Sequence, residues 1–400
     1  MRCLRPFGAA AALVLVISSP AGGGSTRPDH ALIDAFVGRH WKHPVAPQGP
    51  PPRGFSPLEA SLRPSDCGTC HPSQYADWKT SVHARSMSPG VTGQLVDMWR
   101  SDKESARLCL TCHAPLAEQQ PENGAAFDPA LQRQGLVCAA CHVRGHRRFG
   151  PPRRTASASA GPETLPHRGA TRTPAFLASQ FCASCHQFTS DGFALNGKPL
   201  ENTYAEWAAS PAAREGRQCQ DCHMPERRHL WRGIHDPGMV RSGVYLKLAT
   251  AMQYYRLGEL VRARITLVNS GVGHHFPTYV TPRVVVRATL VDAAGRERPG
   301  TGEEWVIARE VALDLSTEVF DSRIAAGERA SFDYRRRLDA GAARLRVTVT
   351  VLPDYFYTRF FESLLGAGGA GEGAREIREA LEVSRRTAFE LYRRELPLTR

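Results

Sequence analysis

Alternation between apolar and polar residues marks the second half of the chain as β-structure. From about Gly243 onward, short segments place apolar residues at every second position, as expected for strands with one buried and one exposed face. The segments are residues 244–250, 260–269, 283–292, 303–310, 330–338 and 344–352. Turn sequences such as DAAGRE and AAGERA separate several of them. This pattern predicts an antiparallel β-sandwich of immunoglobulin-like type over residues 241–365.

Helical periodicity returns at the end of the chain, after the glycine-rich stretch GAGGAGEG. Ile377, Leu381, Ala388 and Leu391 fall on one face of a helix, with glutamate and arginine on the other. We expect residues 366–400 to form a link and a C-terminal helix that packs against the sandwich. A dimerisation helix is the alternative.

The N-terminus has the pattern of a secretory signal peptide that ends near Ala21. Two arginines precede an 11-residue apolar run, and a short Ser-Pro-Ala segment follows it. The run is shorter than the roughly 20 residues that a membrane-spanning helix needs. Residues 1–21 are therefore the predicted signal peptide, and residues 22–64 form a Pro-rich leader. We expect an exported protein, located in the periplasm or outside the cell.

Ten of the eleven cysteines lie in five copies of the pattern C-x-x-C-H, and Cys3 lies in the predicted signal peptide. The copies are motif I (Cys67, Cys70, His71), motif II (Cys109, Cys112, His113), motif III (Cys138, Cys141, His142), motif IV (Cys182, Cys185, His186) and motif V (Cys219, Cys222, His223). This pattern attaches c-type haem: the cysteines form thioethers, and the histidine binds the iron. Zinc sites and redox dithiols also use paired cysteines, but neither explains a histidine after every second cysteine. We therefore expect five covalently bound c-type haems within residues 65–240.

The density of the motifs, about 31 residues per haem, leaves too little chain for a separate apolar core around each cofactor. We expect the haems to form the core themselves and to pack closely, as electron conduction requires. The formal net charge of +12 falls to +10 without the two signal-peptide arginines. Ten haem propionates offset this excess, so we expect no nucleic acid partner. The basic stretch 144–154 is interpreted as a solvated loop beside propionates, with docking of an acidic redox partner as the alternative.

Some of the ten histidines outside the motifs are candidate second ligands to iron. A second histidine gives low-spin iron suited to electron transfer, whereas an open face leaves room for a substrate. The candidates are His83, His167, His229, His235 and His274. His83 lies 12 residues past His71 on a predicted helix, roughly 18 Å along its axis, so we expect it to serve a neighbouring haem.

The remaining histidines are expected to play other parts. His146 is too close to His142 to bind the same iron and is expected at the surface, as are His30, His40 and His43 in the leader. The pair His274–His275 lies between two predicted strands. We expect a strand-turn-strand corner to aim one of them at a haem of the preceding domain, with local packing of both as the alternative.

Several segments resemble the multihaem cytochromes related to the cytochrome c-554 family. The likeness extends over about residues 60–240 and is carried by YADWKTSVHARSM, CASCHQF, NTYAEWAAS, CQDCHMP and GIHDPGM. GHHFPT resembles the GHxFPTG segment of a β-rich domain that follows the haem region in many such proteins. The resemblance implies an electron carrier and favours His274 over His275 as the iron ligand. The named family has four haems, whereas five motifs stand here, and Tyr279 replaces the usual glycine of the histidine segment.

Two functions remain open at this point. The first is electron transfer through mainly bis-histidine haems between redox proteins, with a membrane-bound quinol-linked donor among the candidate partners. The second is an oxidoreductase in which one haem keeps an open face for a small nitrogen or sulfur compound. Five candidate distal histidines favour the carrier, and we predict no catalytic residue. Haem wires of stacked subunits, with His40 or His43 donated between chains, are a third arrangement that nothing in the sequence requires.

Overall fold

The computed structural model describes residues 30–154, 165–189 and 192–399. The predicted signal peptide, with Cys3, lies outside the described residues. The chain is a mixed α+β structure in which a region of short helices precedes a region of antiparallel sheets. Within the described ranges, no helix is long and apolar enough to cross a membrane.

Short helices build the first region. They are α1 His30–His40, α2 Pro57–Ala60, α3 Pro64–Cys70, α4 Pro72–Thr80, α5 Pro89–Ser101, α6 Lys103–His113, α7 Pro129–Gln132, α8 Cys138–His142, α9 Gln180–His186, α10 Thr203–Ala208, α11 Pro211–Arg214, α12 Cys219–His223 and α13 Pro237–Gly243. Five small strands accompany them: β1 Val143–Arg144, β2 Arg147–Gly150, β3 Thr171–Arg172, β4 Ala194–Leu195 and β5 Lys198–Pro199. Many of the helices begin at proline, whose fixed φ and missing N–H suit the first helical position.

The helix predicted after motif I is present but shorter than expected. α4 ends at Thr80, and Ser81 takes an extended conformation, with its hydroxyl bonded to the Trp78 carbonyl oxygen. A separate turn of 3-10 helix, His83–Arg85, follows. The break changes the direction of the chain immediately before His83.

Nine strands build the second region, and the predicted β-sandwich is confirmed. They are β6 Val244–Thr250, β7 Leu260–Asn269, β8 Arg283–Val291, β9 Glu303–Ile307, β10 Arg309–Val311, β11 Glu318–Asp321, β12 Arg329–Arg337, β13 Arg344–Leu352 and β14 Phe389–Pro397. One sheet has the order β12-β7-β6 and the other the order β14-β13-β8-β9, while β10 and β11 form a separate hairpin. All of these pairings are antiparallel.

One continuous apolar core lies between the two larger sheets. Ile265 on β7 pairs with Phe332 and Leu248 on the neighbouring strands, and Val349 on β13 pairs with Val286 on β8. Alternate residues of β13 are fully buried, as period-two burial requires of a central strand with one face in the core. The register therefore follows directly from the apolar pattern.

The end of the chain corrects one prediction. Helices α14 Tyr355–Gly366 and α15 Ala374–Ser384 precede β14, so the C-terminal helix ends well before the end of the chain. Ala388 and Leu391, assigned to that helix from the sequence, lie beyond it, and Leu391 is buried in β14. The segment Phe389–Pro397 pairs with β13 because its own alternation suits the edge of the sheet.

The expected packing of the C-terminal helix on the sandwich is also wrong. α15 lies against α5 of the first region and against α14. Any side chain on Gly93 would come within about 3.0 Å of Ile377, so glycine permits this close approach. Ile377 and Leu381 are buried there with Phe361. The C-terminal helices therefore join the sandwich to the helical region.

Candidate haem centres

The five motifs all lie at helical segments that present their cysteines together. Each motif occupies the end of α3, α6 or α9, or the whole of α8 or α12. Residues three apart on a helix share a face, so both thiols of a motif point the same way, with the histidine next to them. The ten motif cysteines are free thiols. This donor set fits two thioethers and one iron ligand per haem.

Neighbouring motifs lie side by side. The Cys67 thiol of motif I lies close enough to the Cys138 thiol of motif III for each to shift the pKa of the other. Motif II contacts motif IV through Cys112 and Cys185, and motif IV contacts motif V through Cys182 and Cys219. The cysteines thus group into one pair of adjacent motifs, I with III, and one run of three, II with IV and V.

Four of the five motif histidines are oriented by hydrogen bonds at Nδ1. The Nδ1–H of His113, His142 and His223 donates to the carbonyl oxygens of Ser86, Phe149 and Arg232, at 2.5, 2.8 and 2.6 Å. For His186 the partner is the hydroxyl oxygen of Tyr279, at 2.8 Å. A proton held at Nδ1 leaves Nε2 as the free metal-binding nitrogen, the arrangement found at histidine-ligated metals.

Three motif histidines face a second histidine across a short gap. The ring centroids are 6.4 Å apart for His83 and His186, 6.1 Å for His229 and His142, and 6.3 Å for His274 and His223. A metal ion between two imidazoles, with bonds of about 2.0–2.1 Å to each, separates the centroids by roughly 6.3 Å. The spacing of all three pairs therefore fits an iron between them.

The paired imidazoles are held in their neutral form. Burial, the largest cause, lowers the pKa of His83 to about 3 and those of His142, His186 and His274 to about 4. Neighbouring histidines contribute in the same direction. A neutral imidazole has the lone pair that a metal requires, so these side chains are ready to bind iron at neutral pH.

Asp77 on α4 fixes the position of His229. Its carboxylate accepts two hydrogen bonds from Arg228, at 2.8 and 2.7 Å, and one from the His229 backbone N–H at 3.0 Å. The hydrogen bond from Arg228 is the main cause that lowers the pKa of Asp77. The Nδ1–H of His229 donates to the Arg227 carbonyl oxygen, which leaves its Nε2 free.

The structure places the two remaining distal candidates differently. Burial lowers the pKa of His71 of motif I, and the nearby His167 lowers it further. The Nδ1–H of His167 donates to the Gly169 carbonyl oxygen at 2.9 Å. His235 instead directs Nε2 at the Asp354 carboxylate, at 3.0 and 3.1 Å. The nitrogen that would bind iron is thus engaged by a carboxylate.

Three histidines expected at the surface are buried or enclosed. The Nε2 of His40 bonds the Cys141 carbonyl oxygen, and the Nε2 of His146 bonds that of Gly49. Both ring nitrogens of His43 are buried without a hydrogen-bond partner in the described chain. For His40 the signal was present in the sequence: Ile33, Phe36 and Val37 recur at helical spacing and form the buried face of α1.

His113 of motif II has different surroundings. Among the described residues, no histidine ring stands at the iron-spanning distance from it. Tyr357 interacts electrostatically with Cys109, and Glu201 with Cys112. Burial raises the pKa of Glu201 to about 8 and also raises that of Tyr357. Neutral proton donors therefore lie near this motif.

The loop that carries His274 and His275 is anchored by a buried ion pair. The Glu206 carboxylate accepts hydrogen bonds from Arg323, from the Thr278 hydroxyl and from the His275 backbone N–H, at 2.7, 2.6 and 3.2 Å. The side chains of Arg323 and Glu206 are only 3% and 2% exposed. The His275 ring lies 3.4 Å from the same carboxylate, whereas His274 faces His223. The two adjacent histidines therefore have different contacts: His275 lies beside Glu206, and His274 lies beside motif V.

Comparisons with known proteins agree with this donor set. Residues 66–143 match the family model described as cytochrome c554 and c-prime. The penta-heme cytochrome c552 from Thermochromatium tepidum superposes with a TM-score of 0.62 at 19% sequence identity, covering 86% of this chain and 100% of that chain. At that identity the likeness shows a shared fold.

Two other solved structures give much weaker matches. The structural genomics target SoR45 has a TM-score of 0.20 at 13% identity, covering 40% of this chain and 89% of its own. The alkylpurine DNA glycosylase AlkC of Pseudomonas fluorescens has a TM-score of 0.19 at 12% identity, covering 86% and 74%. No curated protein sequence matches the chain significantly.

Proposed function

We propose that this chain, which is a multihaem c-type cytochrome, binds five haems and passes electrons through them between redox partners outside the cytoplasmic membrane. The observation that carries the proposal is the set of three histidine pairs at the spacing of an iron ligated from both sides. A haem bound in this way supplies one-electron redox chemistry.

The distal ligands follow from these contacts. We assign His83 to the haem of motif IV, His229 to that of motif III and His274 to that of motif V. His167, beside His71, is the candidate for motif I. Each assigned histidine belongs to a different segment from the motif it serves, so iron binding joins separate parts of the chain.

The protein's part in electron transfer is to keep the centres close and their ligands fixed. The adjacent thiols put motifs II, IV and V in one run and motifs I and III side by side. The His83 ring also interacts electrostatically with His223 and His229, beyond its partner His186. These contacts support a continuous path between the two groups of motifs.

The partners and the location are part of the proposal. We expect redox proteins on both sides of the transfer, a membrane-bound quinol-linked donor among them, in the periplasm or at the cell surface. The formal net charge of +12 favours acidic partners, although the haem propionates offset part of this positive charge. The salt dependence of reduction by an acidic donor protein tests this expectation.

A second candidate function follows from the surroundings of His113, which no second histidine ring faces among the described residues. If the motif II iron keeps one open face, the nearby Tyr357 and Glu201 supply proton donors for reduction of a small nitrogen or sulfur compound. This candidate requires that one haem of the five be high-spin in the unmodified protein.

Haem counting with EPR spectroscopy tests both candidates. We expect five haems per chain by pyridine haemochrome, and His229→Ala and His274→Ala should each turn one low-spin haem high-spin. His30→Ala, at an exposed site on α1, is the control. Unchanged spin states in both variants contradict the assignment. One high-spin signal in the unmodified protein favours the open-face candidate, and its absence excludes it.

A further inference from the structure

Tyr279 gives the His186 ring a hydrogen-bond partner unlike those of His113, His142 and His223. Where His113, His142 and His223 donate to backbone carbonyls, His186 donates to the Tyr279 hydroxyl oxygen at 2.8 Å. A side-chain acceptor can be removed by mutation without changing the backbone. The contact is therefore both distinctive and testable.

The Tyr279 hydroxyl begins a short hydrogen-bonded chain. The Thr203 side chain lies close enough to the Tyr279 hydroxyl to affect its pKa, and the Thr203 hydroxyl donates to the Glu201 carboxyl oxygen at 2.8 Å. With the Thr203 proton directed at Glu201, the Tyr279 hydroxyl can donate to Thr203 and accepts from His186. Successive hydrogen bonds of one direction polarise each other, which makes the Tyr279 oxygen a better acceptor.

Tyr279 reaches this position because it belongs to the loop that also carries His274. The adjacent Thr278 hydroxyl donates to Glu206, and its carbonyl oxygen accepts from Arg323 at 2.7 Å. The loop is thus fixed on both sides of the interface between the sandwich and the helical region. Within the six-residue segment 274–279 of the sandwich region, His274 faces His223 of motif V and Tyr279 contacts His186 of the adjacent motif IV.

We propose that Tyr279 is a positioning residue that lowers the reduction potential of the haem at motif IV by accepting the Nδ1–H of His186. This inference rests on the proposed function, because it requires a haem ligated by His186. A hydrogen bond from Nδ1–H makes the imidazole a more basic ligand, and a more basic ligand favours oxidised iron. The sandwich thereby sets the potential of one haem and supplies a ligand to the next.

Redox titration of the holoprotein with EPR detection tests the inference. Tyr279→Phe keeps the ring and removes the acceptor, so one midpoint potential should rise while the haem count and spin states stay unchanged. Thr203→Val removes the hydroxyl that follows Tyr279 in the hydrogen-bonded series. It should shift the same midpoint potential upward by less than Tyr279→Phe does. Tyr245→Phe, which removes a hydroxyl from the partly exposed face of β6, is the control and should shift none. His83→Ala identifies the affected centre, because it turns the motif IV haem high-spin.

The outcomes separate the inference from the function on which it rests. Unchanged potentials in Tyr279→Phe with all haems retained overturn the role of Tyr279, as does an equal shift of every potential. If Tyr279→Phe loses haem, Thr203→Val decides: an upward shift of one potential supports the role and none overturns it. Fewer than five haems in the unmodified protein, or an unaltered spin state in His83→Ala, instead contradicts the proposed function.

Discussion

The sandwich and the helical region are stabilised by different means. One apolar cluster runs through the sandwich from Val240 to Leu398 and joins both sheets. Among its described residues, the helical region has small, separate clusters, centred on Leu116, Leu110 and Ala175. The buried polar side chains of this region include His40 and His146, and its motif cysteines are partly buried or exposed.

The two regions obtain their cores from different sources. The sandwich buries enough of its own apolar side chains to form a core, as sheets with alternating faces do. The helical region has many short elements and small apolar clusters, so we expect covalently attached haems to supply the rest of its interior. Small domains that lack a sufficient core commonly depend on such cross-links or metals.

The largest expected effect comes from removing a central haem attachment. In the double variant Cys182→Ala, Cys185→Ala, motif IV loses both thioethers, and it lies between motifs II and V. We expect one haem fewer per chain and cleavage of the helical region by protease that is faster by about tenfold or more. The sandwich should keep its resistance, because its core contains no motif residue. Haem-to-protein ratio and mass spectrometry of the fragments measure both effects.

The matched control is the double variant Cys67→Ala, Cys70→Ala at motif I. Its contact through thiols is with motif III alone among the pairs described above. We therefore expect a smaller rise in cleavage. Equal protease resistance in all three proteins would contradict the idea that the haems form the core of this region.

The second largest effect should come from the buried ion pair that joins the two regions. Arg323→Ala leaves the Glu206 carboxylate buried without its charge partner, and breaking such pairs costs about 3–5 kcal/mol. Urea denaturation of the holoprotein measures the loss. Because the same pair anchors the His274 loop, the motif V haem should also become partly high-spin. Arg336→Ala, at a partly exposed ion pair with Glu303, is the control and should cost little.

The strands could be predicted from the sequence because a sheet with one buried face requires apolar and polar residues to alternate along each strand. β6, β7 and β13 have the predicted bounds, since each alternates between core and solvent along its whole length. β14 was missed because a helix and a strand both fit the few apolar residues of its segment. β14 pairs with β13, which lies some 40 residues earlier in the chain. No local sequence pattern indicates such a distant partner.

The haem centres could be predicted only in part. The motifs fix the attachment residues through local covalent chemistry, whatever the fold. The distal partners depend on long-range packing: His229 depends on Asp77, and His235 meets Asp354 more than 100 residues away. Nor did the sequence distinguish His43, whose two ring nitrogens are buried.

A smaller effect is expected from a cavity in the sandwich core. Leu345 on β13 is fully buried and pairs with Leu290 and Leu396. Leu345→Ala should lower the free energy of unfolding by about 2–5 kcal/mol, through lost burial and the cavity that remains. The EPR spectrum of the haems should not change, because the residue lies away from them in the sandwich core. Val319→Ala, at an exposed position of β11, is the control. A changed haem spectrum in Leu345→Ala would show that the two cores are not independent.

The smallest effect concerns the pH dependence of the contact between the regions. Burial raises the pKa of Asp321, but hydrogen bonds from Arg323 and Lys198 outweigh it and hold that pKa well below its ordinary value. Asp321 thus contributes stability that is fully present above the ordinary carboxyl pKa and is lost as the pH falls through the folded-state value. Asp321→Asn should cost about 1.5 kcal/mol at neutral pH, as for a hydrogen bond to a charged group.

The difference in unfolding free energy between Asp321→Asn and the unmodified protein should shrink as the pH falls from about 5 toward 2. Urea denaturation at each pH measures it, with Glu379→Gln at an exposed position of α15 as the control. A difference that stays constant over this range would mean that the Asp321 carboxylate is not stabilised by its charged partners. The contact between the two regions would then depend on Glu206 and Arg323 without help from this neighbour.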